Sequence, residues 1–236
     1  MVEGVRLAEE VFRADWEVQL LLFTDELSER GKLVVDGYAE RGIPIEETIP
    51  HVLHTISDTQ TPQGIMLVVS RRELPFPDVL RFAFIPDMVR DPGNLGTMLR
   101  TSRAAGVQVV LIPPETVDPY SPKVIRAGMG AHFHLPICVL SWKEIESYLL
   151  LLQVFLADAN HGIPYTAVDF HDPLALIVGG EAEGVSSKSK GLASIHLHIP
   201  MPGGGESLNA GVAAGVLLME VARQRSIKNF DQKVAI

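Results

Sequence analysis

The chain has 236 residues, 47% of them hydrophobic and 21% charged, so it is long enough to bury a core and does not have the composition of a disordered protein. Its formal net charge of −9 argues against loose binding of nucleic acid through a globally basic surface, although a local basic cluster can still serve one RNA partner. The single Cys138 excludes a disulfide framework, and no apolar run has the length of a membrane span or signal peptide, so we predict a cytoplasmic protein with no membrane contact.

The first part of the chain alternates helical and extended patterns, which is typical of a small α/β domain. We predict a helix over 2–14, a strand over 17–23, a short helix over 25–30 with another after Gly31, a helical turn over 50–56 and a buried strand over 64–70. Two prolines and several charges then mark a linker. We therefore divide the chain into a domain over 1–70, a linker over 71–80 and a domain over 81–236.

The second part repeats strands and helices, which predicts a mostly parallel sheet covered on both faces. The helix that follows Asp91 has an apolar face, formed by Leu95, Met98, Leu99, Ser102 and Ala105. We place four residues on its other face: Gly96, Thr97, Arg100 and Arg103. Arginines near a glycine-bearing helix start suit a phosphate or an RNA backbone, but a solvated basic stripe is the alternative.

Two apolar runs end in turns that are dense in glycine, over 179–184 and 203–205, and the second turn leads into a helical pattern over 208–225. Glycine lets main-chain groups approach a ligand closely, so these turns predict a pocket for a nucleotide-like molecule. A purely structural turn is the alternative interpretation. The dinucleotide fingerprint G-x-G-x-x-G is absent, which disfavours an NAD-dependent dehydrogenase.

Histidines alternate in two segments that we predict to be extended, 131–140 and 194–199. The pairs are His132 with His134 and His196 with His198. No carboxylate or thiol stands at ligand spacing beside them, so the polar faces of two strands explain these pairs better than a metal site does. We predict no metal.

Three motifs in this order resemble those of the SpoU (TrmH-type) RNA ribose 2′-O-methyltransferases. They are Asn94-Leu-Gly-Thr-Met-Leu-Arg100, Gly179-Gly-Glu181-Ala-Glu-Gly184, and Ile199-Pro-Met-Pro-Gly203 with Ser207-Leu-Asn209. The resemblance covers residue 81 to the C-terminus, and the first part is similar to the L30e-like substrate-binding domain of the family. Ala210-Gly211 stands where the family usually has Val-Ser. The basic N-terminal segment that many relatives carry is not expected here, and without it RNA binding would be weaker.

The resemblance implies an α/β SPOUT fold with a trefoil knot, S-adenosylmethionine as cofactor, and a homodimer formed through the final helix. It implies methylation of a ribose 2′-hydroxyl in RNA, with ribosomal RNA favoured over tRNA; a tRNA methyltransferase, a catalytically silent RNA-binding relative and another nucleotide-binding α/β enzyme are the alternatives. The catalytic positions carried over are Asn94, Arg100, Glu181, Ser207 and Asn209. The cofactor-binding positions are Gly179, Ile199, Met201, Gly203 and Leu208. Candidates for RNA phosphates are Arg90, Arg103, Arg126 and Lys188.

Overall fold

The computed structural model describes residues 1–57, 59, 61–159, 161–181 and 184–234, with side chains as far as Ser226. Its first part contains β1 (Val2–Glu3), α1 (Val5–Arg13), β2 (Val18–Phe23), α2 (Glu29–Glu40), β3 (Ile45–Glu47), α3 (Pro50–Ile56) and β4 (Ile65–Val69). The strands form a four-stranded sheet in the order β1-β4-β2-β3, in which β4 is antiparallel to both neighbours.

The second part builds a seven-stranded sheet. Its elements in chain order are β5 (Phe82–Asp87), α4 (Pro92–Ala105), β6 (Val109–Ile112), α5 (Pro122–Gly128), β7 (Ile137–Val139), α6 (Trp142–Leu149), β8 (Gln153–Ala157), β9 (Ile163–Pro164), β10 (Leu174–Gly179), α7 (Ser187–Leu192), β11 (Ile195–His198) and α8 (Ala210–Val234). The strand order is β7-β6-β5-β10-β8-β11-β9, and every neighbouring pair in it is parallel. The predicted parallel α/β class is therefore confirmed.

The seven-stranded sheet is covered on both faces, as its continuous apolar strands predict. Alternate residues of β5 point to opposite sides: Phe82 and Phe84 join one cluster, whereas Ala83 and Ile85 join the other. The first cluster includes buried side chains of α4 and α8, and the second includes those of α6. Full burial of one leucine or phenylalanine side chain stabilises the folded state by about 1.5–3 kcal/mol. The two clusters therefore stabilise the strand arrangement from which the site is built.

Several predicted elements differ from the structure. The helix predicted over 2–14 begins only at Val5, because β1 (Val2–Glu3) pairs with β4. In place of a helix over 25–30 and another after Gly31, the chain forms the single helix α2, which begins at Glu29 and whose N-cap Ser28 accepts a hydrogen bond from the Gly31 backbone N–H at 3.2 Å. Glycine is needed inside this helix because a Cβ at position 31 would lie 2.5 Å from the Leu27 side chain.

The prediction of an extended segment over 131–140 was also wrong. Residues Ala131–Phe133 form a 3-10 turn, and only Ile137–Val139 are extended. His132 and His134 therefore do not share a strand face: the His132 side chain is buried, and its Nε2 donates to the carbonyl of Pro119 at 2.7 Å. The final helix begins at Ala210 and not at Leu208, because Asn209 caps it by accepting the Val212 amide at 3.1 Å.

The two parts of the chain are in direct contact. The indole N–H of Trp16 donates to the carbonyl of Phe133 at 3.2 Å, and Phe133 is buried in the hydrophobic cluster of the first part. The coil between β4 and β5 is attached to both parts: the Arg71 guanidinium lies 3.9 Å from the centre of the Tyr120 ring and that of Arg72 lies 5.0 Å from the centre of the Trp16 rings. This contact places the first part beside α4 and α5.

Candidate functional site

The carboxyl ends of three neighbouring strands, β8, β10 and β11, open into one cavity of about 290 Å³. In open parallel sheets, ligands bind at this edge, where the loops that follow the strands converge. The wall combines apolar side chains, glycine backbone and a few polar groups. It is lined by Ala157, Asp158, Ala159, Val178, Gly179, Gly180, Glu181, Gly184, Val185, Lys190, Leu197, Ile199, Met201, Ser207, Leu208, Ala210, Ala213 and Leu217.

Two glycines at the end of β10 allow the backbone to fold against the cavity wall. A Cβ at Gly180 would overlap the carbonyl oxygen of Met88, and a Cβ at Gly179 would lie 2.5 Å from the carbonyl oxygen of Gly184. Any other residue would force these main-chain segments apart. The glycines are therefore required by close approach between main-chain segments of the protein itself, which is the structural-turn interpretation; approach to a ligand stays a prediction.

Side chains from three separate segments meet at the mouth of the cavity. The Asn94 amide donates to Glu181 Oε1 at 2.8 Å, and the Asn209 amide donates to Asn94 Oδ1 at 3.0 Å and to the same glutamate oxygen. The backbone N–H of Ala210 also approaches Glu181 Oε1, at 3.4 Å. We call Asn94, Glu181 and Asn209 the triad; it joins residues from all three predicted motifs in one hydrogen-bonded unit.

The triad lies where two helices begin. The Asp91 side chain caps α4, because its Oδ1 accepts a hydrogen bond from the backbone N–H of Asn94 at 2.7 Å. The Asn209 side chain caps α8. Helix N-termini carry partial positive charge, so both helices present their favourable ends to the Glu181 side chain. A Cβ at Gly211, in the first turn of α8, would lie 3.3 Å from Asn94 Oδ1, so glycine there allows the two helices to approach closely.

A second cavity of about 200 Å³ adjoins the first. It is lined by Met88, Val89, Arg90, Asp91, Asn94, Gly180, Glu181 and Ala210. Three of these residues, Gly180, Glu181 and Ala210, also line the first cavity. The two cavities therefore share part of one wall, which includes the triad residue Glu181.

Of the predicted catalytic residues, Arg100 lies outside the two cavities as described. It is exposed on α4, roughly two helical turns beyond Asn94. Ser207 lines the first cavity. The prediction that Gly96 shares the exposed face with Arg100 was wrong: Gly96 is buried, and a Cβ there would overlap Ala127 of α5.

Four of the five predicted cofactor-binding residues line the first cavity: Gly179, Ile199, Met201 and Leu208. Gly203 is exposed and does not contribute to the wall as described. Sequence reasoning did not single out Asp158 and Lys190, which also line the cavity. The position of Asp158 directly after an apolar strand of a parallel sheet was the signal that would have found it.

The four basic residues predicted to contact RNA have different surroundings. Arg90 lines the second cavity, and Lys188 is exposed on α7. Arg126 is half-buried and lies beside Glu3 and Met66 of the first part. Arg103 forms an ion pair with Glu10 at 3.3 Å, so its charge is partly engaged in holding the two parts together.

That ion pair belongs to a small charged cluster. Glu10 Oε2 also lies 3.5 Å from His134 Nε2. Burial acts to raise the pKa of Glu10, but the hydrogen bond and charge of Arg103, with His134 and Arg13, bring it below its usual value. Burial, then the charge of Arg103, lower the pKa of His134, partly offset by Glu10.

The described part of the chain has neither a metal-binding cluster nor a membrane-spanning helix. In that part, no three His, Cys, Asp or Glu side chains are grouped closely enough to hold a metal ion. Asp158 does lie 3.4 Å from a ring nitrogen of His161 and of His196. Among the described helices, none is long and apolar enough to cross a membrane.

Two family models match the chain in the order of its parts. The model described as the SpoU rRNA methylase family matches residues 81–219, and the model described as RNA 2′-O ribose methyltransferase substrate binding matches residues 1–75. Among similar sequences, the 23S rRNA (guanosine(2553)-2′-O)-methyltransferase RlmP of Bacillus subtilis is 32% identical, over 92% of this chain and 86% of that protein. The human mitochondrial rRNA methyltransferase 3 is also 32% identical, over 95% of this chain and 67% of that protein.

Solved structures with the same fold include two that contain S-adenosylmethionine (AdoMet). The AdoMet-bound rRNA methyltransferase from Sinorhizobium meliloti has a TM-score of 0.80 and 28% identity, covering 94% of this chain and 85% of that one. The SpoU methyltransferase AviRb from Streptomyces viridochromogenes, in complex with AdoMet, has a TM-score of 0.83 and 27% identity, covering 94% and 89%. These structures have the fold described above.

Proposed function

Because the chain belongs to the SpoU rRNA methylase family, we propose that it transfers a methyl group from S-adenosylmethionine to a ribose 2′-hydroxyl of ribosomal RNA. The observation that carries this proposal is the hydrogen-bonded triad of Asn94, Glu181 and Asn209, whose member Glu181 lines both cavities. The first cavity suits the cofactor and the second suits the acceptor nucleotide.

The residues of the first cavity fit the cofactor. The cavity combines apolar contacts for an adenine ring with exposed main-chain groups and a few polar side chains, which is the usual composition of a small-molecule site. Gly179, Ile199, Met201 and Leu208 would hold the cofactor, with Gly203 in the same loop as a predicted further contact. When bound, S-adenosylmethionine supplies a methyl group that its sulfonium already activates.

The triad and its neighbours orient the acceptor. A ribose hydroxyl is a weak nucleophile, so the site must hold its oxygen in line with the methyl group and help its proton to leave. We assign this orientation to Asn94, Glu181 and Asn209, with Ser207 at the cofactor side. Because Glu181 is held by amide donors at the start of two helices, it stays fixed while the nucleotide binds.

Arg100 is proposed to act on the RNA rather than as a general base. The pKa of a guanidinium lies above about 12, so it does not accept a proton at neutral pH. An RNA strand that runs from the second cavity along the exposed face of α4 would bring a phosphate to Arg100, and that phosphate can then help to remove the hydroxyl proton.

The variant Arg100→Ala tests this role. We expect methyl transfer to RNA to fall at least about 100-fold, while the dissociation constant for S-adenosylmethionine measured by calorimetry stays within about twofold. Lys143→Ala, an exposed lysine on α6, is the matched control and should retain wild-type turnover. Full activity in Arg100→Ala would remove this residue from the mechanism.

Ribosomal RNA is proposed as the substrate because several relatives carry that substrate in their names. A tRNA methyltransferase and a catalytically silent RNA-binding relative are the alternatives. Mapping 2′-O-methyl groups in RNA from cells that lack the protein distinguishes the three: one missing ribosomal site supports the proposal, a missing tRNA site selects the first alternative, and no change selects the second. Calorimetry in which the protein fails to bind S-adenosylmethionine would contradict methyl transfer altogether.

The RNA is proposed to bind through local basic groups, because the net charge of −9 disfavours a general electrostatic grip. Arg90, Arg126 and Lys188 are candidate phosphate contacts, and Arg103 would have to share its charge between RNA and Glu10. Replacing Arg90 by alanine should weaken RNA binding and reduce its salt dependence, whereas a salt dependence equal to the wild type would exclude a phosphate contact.

A homodimer formed through α8 is proposed on the basis of its exposed apolar residues. Val212 is 53% exposed and Met219 is 49% exposed, and Val216 between them is half-buried. Leu217 and Val221 of the same helix do not contribute to this surface, because their side chains are fully buried in the chain's own core. Light scattering should give a dimer for the wild type and a monomer for Val212→Glu with Met219→Glu, and a wild-type monomer would contradict the proposal.

The trefoil knot, the domain limits and the compartment are further proposals. The knot is proposed because the chain belongs to the SpoU family, and the insertion of β10 between the earlier strands β5 and β8 is compatible with it. An electron-density trace of the chain between β8 and α8 tests it.

We keep the division into a substrate-binding domain over 1–70, a linker over 71–80 and a methyltransferase domain over 81–236, and limited proteolysis that cuts elsewhere first would contradict it. A cytoplasmic location is tested by cell fractionation.

A further inference from the structure

Asp87 is a buried carboxylate that the proposed reaction does not use. It is the last residue of β5, has no exposed surface, and stands opposite Gly179 in the pairing of β5 with β10. It belongs to neither cavity wall as described. Aspartate is almost never fully buried unless other groups hold its carboxylate, so the position requires an explanation.

Asp87 holds the chain at two points on either side of Glu181. Its carbonyl oxygen accepts the Gly180 amide at 2.9 Å, directly where β10 ends. Its carboxylate oxygen Oδ2 accepts the Ser186 amide at 2.6 Å and the Ser189 hydroxyl at 2.7 Å, at the start of α7. Gly180, like Val185 and Lys190 beside these contacts, lines the first cavity, so one residue of β5 fixes two parts of the cavity wall.

A carboxylate at this position supplies one acceptor for two donors of α7. Oδ2 receives both hydrogen bonds, and hydrogen bonds to a charged acceptor are roughly twice as strong as those between neutral groups. Ser189 is fully buried, so loss of this acceptor would leave its hydroxyl without that partner in the interior.

We propose that Asp87 is a positioning residue for cofactor binding, because it holds the start of α7 against the end of β10 and thereby shapes the cavity before S-adenosylmethionine binds. The inference rests on the proposed function, since it names a residue that supports the same site. A cavity that is already in shape binds more tightly, because fewer groups lose conformational freedom when the ligand enters. The chemistry of methyl transfer is unaffected.

The test compares three variants of the full chain. Asp87→Asn keeps the size of the side chain and removes its charge, and Ser189→Ala removes only one of the two donors. Ser102→Ala is the control, because Ser102 is a fully buried serine on α4 whose hydroxyl has no partner in the described part of the chain. We expect the dissociation constant for S-adenosylmethionine to rise about tenfold in Asp87→Asn, about threefold in Ser189→Ala and less than about twofold in Ser102→Ala.

Two further readouts separate positioning from other roles. S-adenosylhomocysteine lacks the sulfonium charge, so a positioning role predicts that Asp87→Asn loses the same factor of affinity for both ligands. A loss of affinity for S-adenosylmethionine alone would overturn the proposal, because it would indicate direct attraction between the carboxylate and the sulfonium. In steady-state assays, the KM for S-adenosylmethionine should rise while kcat and the KM for RNA stay near wild type. A fall in kcat alone would contradict a positioning role.

Hydrogen exchange of the protein without ligand keeps this test independent of the proposed function. The Ser186 amide should exchange about tenfold faster in Asp87→Asn than in the wild type and unchanged in Ser102→Ala. If the wild-type protein does not bind S-adenosylmethionine, the proposed function fails, and the exchange rate of Ser186 still decides whether Asp87 holds this segment. Unchanged exchange, or wild-type cofactor affinity in Asp87→Asn, would overturn the inference.

Discussion

The seven-stranded sheet and the four-stranded sheet differ in where their strands end. In the larger sheet every neighbouring pair is parallel, so the loops that follow β5, β8, β10 and β11 emerge at one edge. In the smaller sheet β4 runs opposite to both neighbours, so its loops are divided between two edges. Only the larger sheet can therefore gather residues from distant motifs into one site.

The first part of the chain instead contributes contacts, made by α1 and the turn that follows it, that hold it beside α4 and α5. Trp16 donates to the Phe133 carbonyl, and Glu10 pairs with Arg103. This difference indicates that changes in the strand-end loops should affect catalysis and cofactor binding, whereas changes at the contact between the two parts should affect stability. The predictions below test this separation, from the largest expected effect to the smallest.

Glu181→Ala should cause the largest loss. It removes the carboxylate that accepts hydrogen bonds from Asn94 and Asn209, so methyl transfer to RNA should fall at least about 100-fold in single-turnover assays, with the unfolding midpoint nearly unchanged. Glu206→Ala, an exposed glutamate in the loop before α8, is the control and should behave as the wild type. Activity within tenfold of the wild type in Glu181→Ala would show that the triad is not essential.

Gly180→Ala should weaken cofactor binding rather than abolish folding. The added methyl group would overlap the Met88 carbonyl and displace the end of β10, so the dissociation constant for S-adenosylmethionine should rise by at least about tenfold. Gly191→Ala places a methyl group in open space and should leave calorimetric binding unchanged. Equal affinities for the two variants would contradict the close-approach argument.

Trp16→Phe should reduce stability and leave the site intact. The change removes the indole donor and leaves the buried Phe133 carbonyl unpaired, which costs about 1–3 kcal/mol in urea unfolding. Tyr148→Phe, at an exposed ring stacked on Phe76, is the control with little expected effect. If Trp16→Phe also changed cofactor affinity several-fold, the proposed separation between the two regions would be wrong.

The smallest effect concerns pH. Burial lowers the pKa of His132 below its usual value, and protonation would place a charge on Nδ1, which has no hydrogen-bond partner in the described part of the chain. The unfolded state therefore binds a proton at this histidine more readily than the folded state does. The contribution of neutral His132 to the free energy of unfolding is complete above about pH 6.5 and is lost as the pH falls below that value.

Urea unfolding at several pH values measures this dependence. The free energy of unfolding should decrease from pH 7 to pH 5 by at most about 1.4 kcal/mol per pH unit for this group, and His132→Gln should flatten the decrease. His51→Gln, an exposed histidine on α3, is the control. An identical slope in His132→Gln and the wild type would assign the pH dependence to other groups.

The sequence by itself determined the class of fold and the family. Continuous apolar strands separated by helical patterns favour a parallel sheet covered on both faces, and this is a local property of the chain. The resemblance to the SpoU family, rather than local pattern, assigned Gly179, Ile199 and Leu208 to cofactor binding, and all three line the first cavity. The extended segment predicted around His132 was wrong because burial of its side chain, a tertiary effect, outweighed the local alternation.

Only the tertiary structure decided which distant side chains meet. Asn94, Glu181 and Asn209 are far apart in sequence, and their hydrogen bonds depend on how α4, α8 and the end of β10 converge. The same is true of Asp87, whose hydrogen bonds reach Ser186 and Ser189, and of Gly96, which is buried because α4 and α5 approach closely. Spacing along the chain reports on one helix or strand at a time, whereas these contacts are set by the order and direction of strands in the sheet.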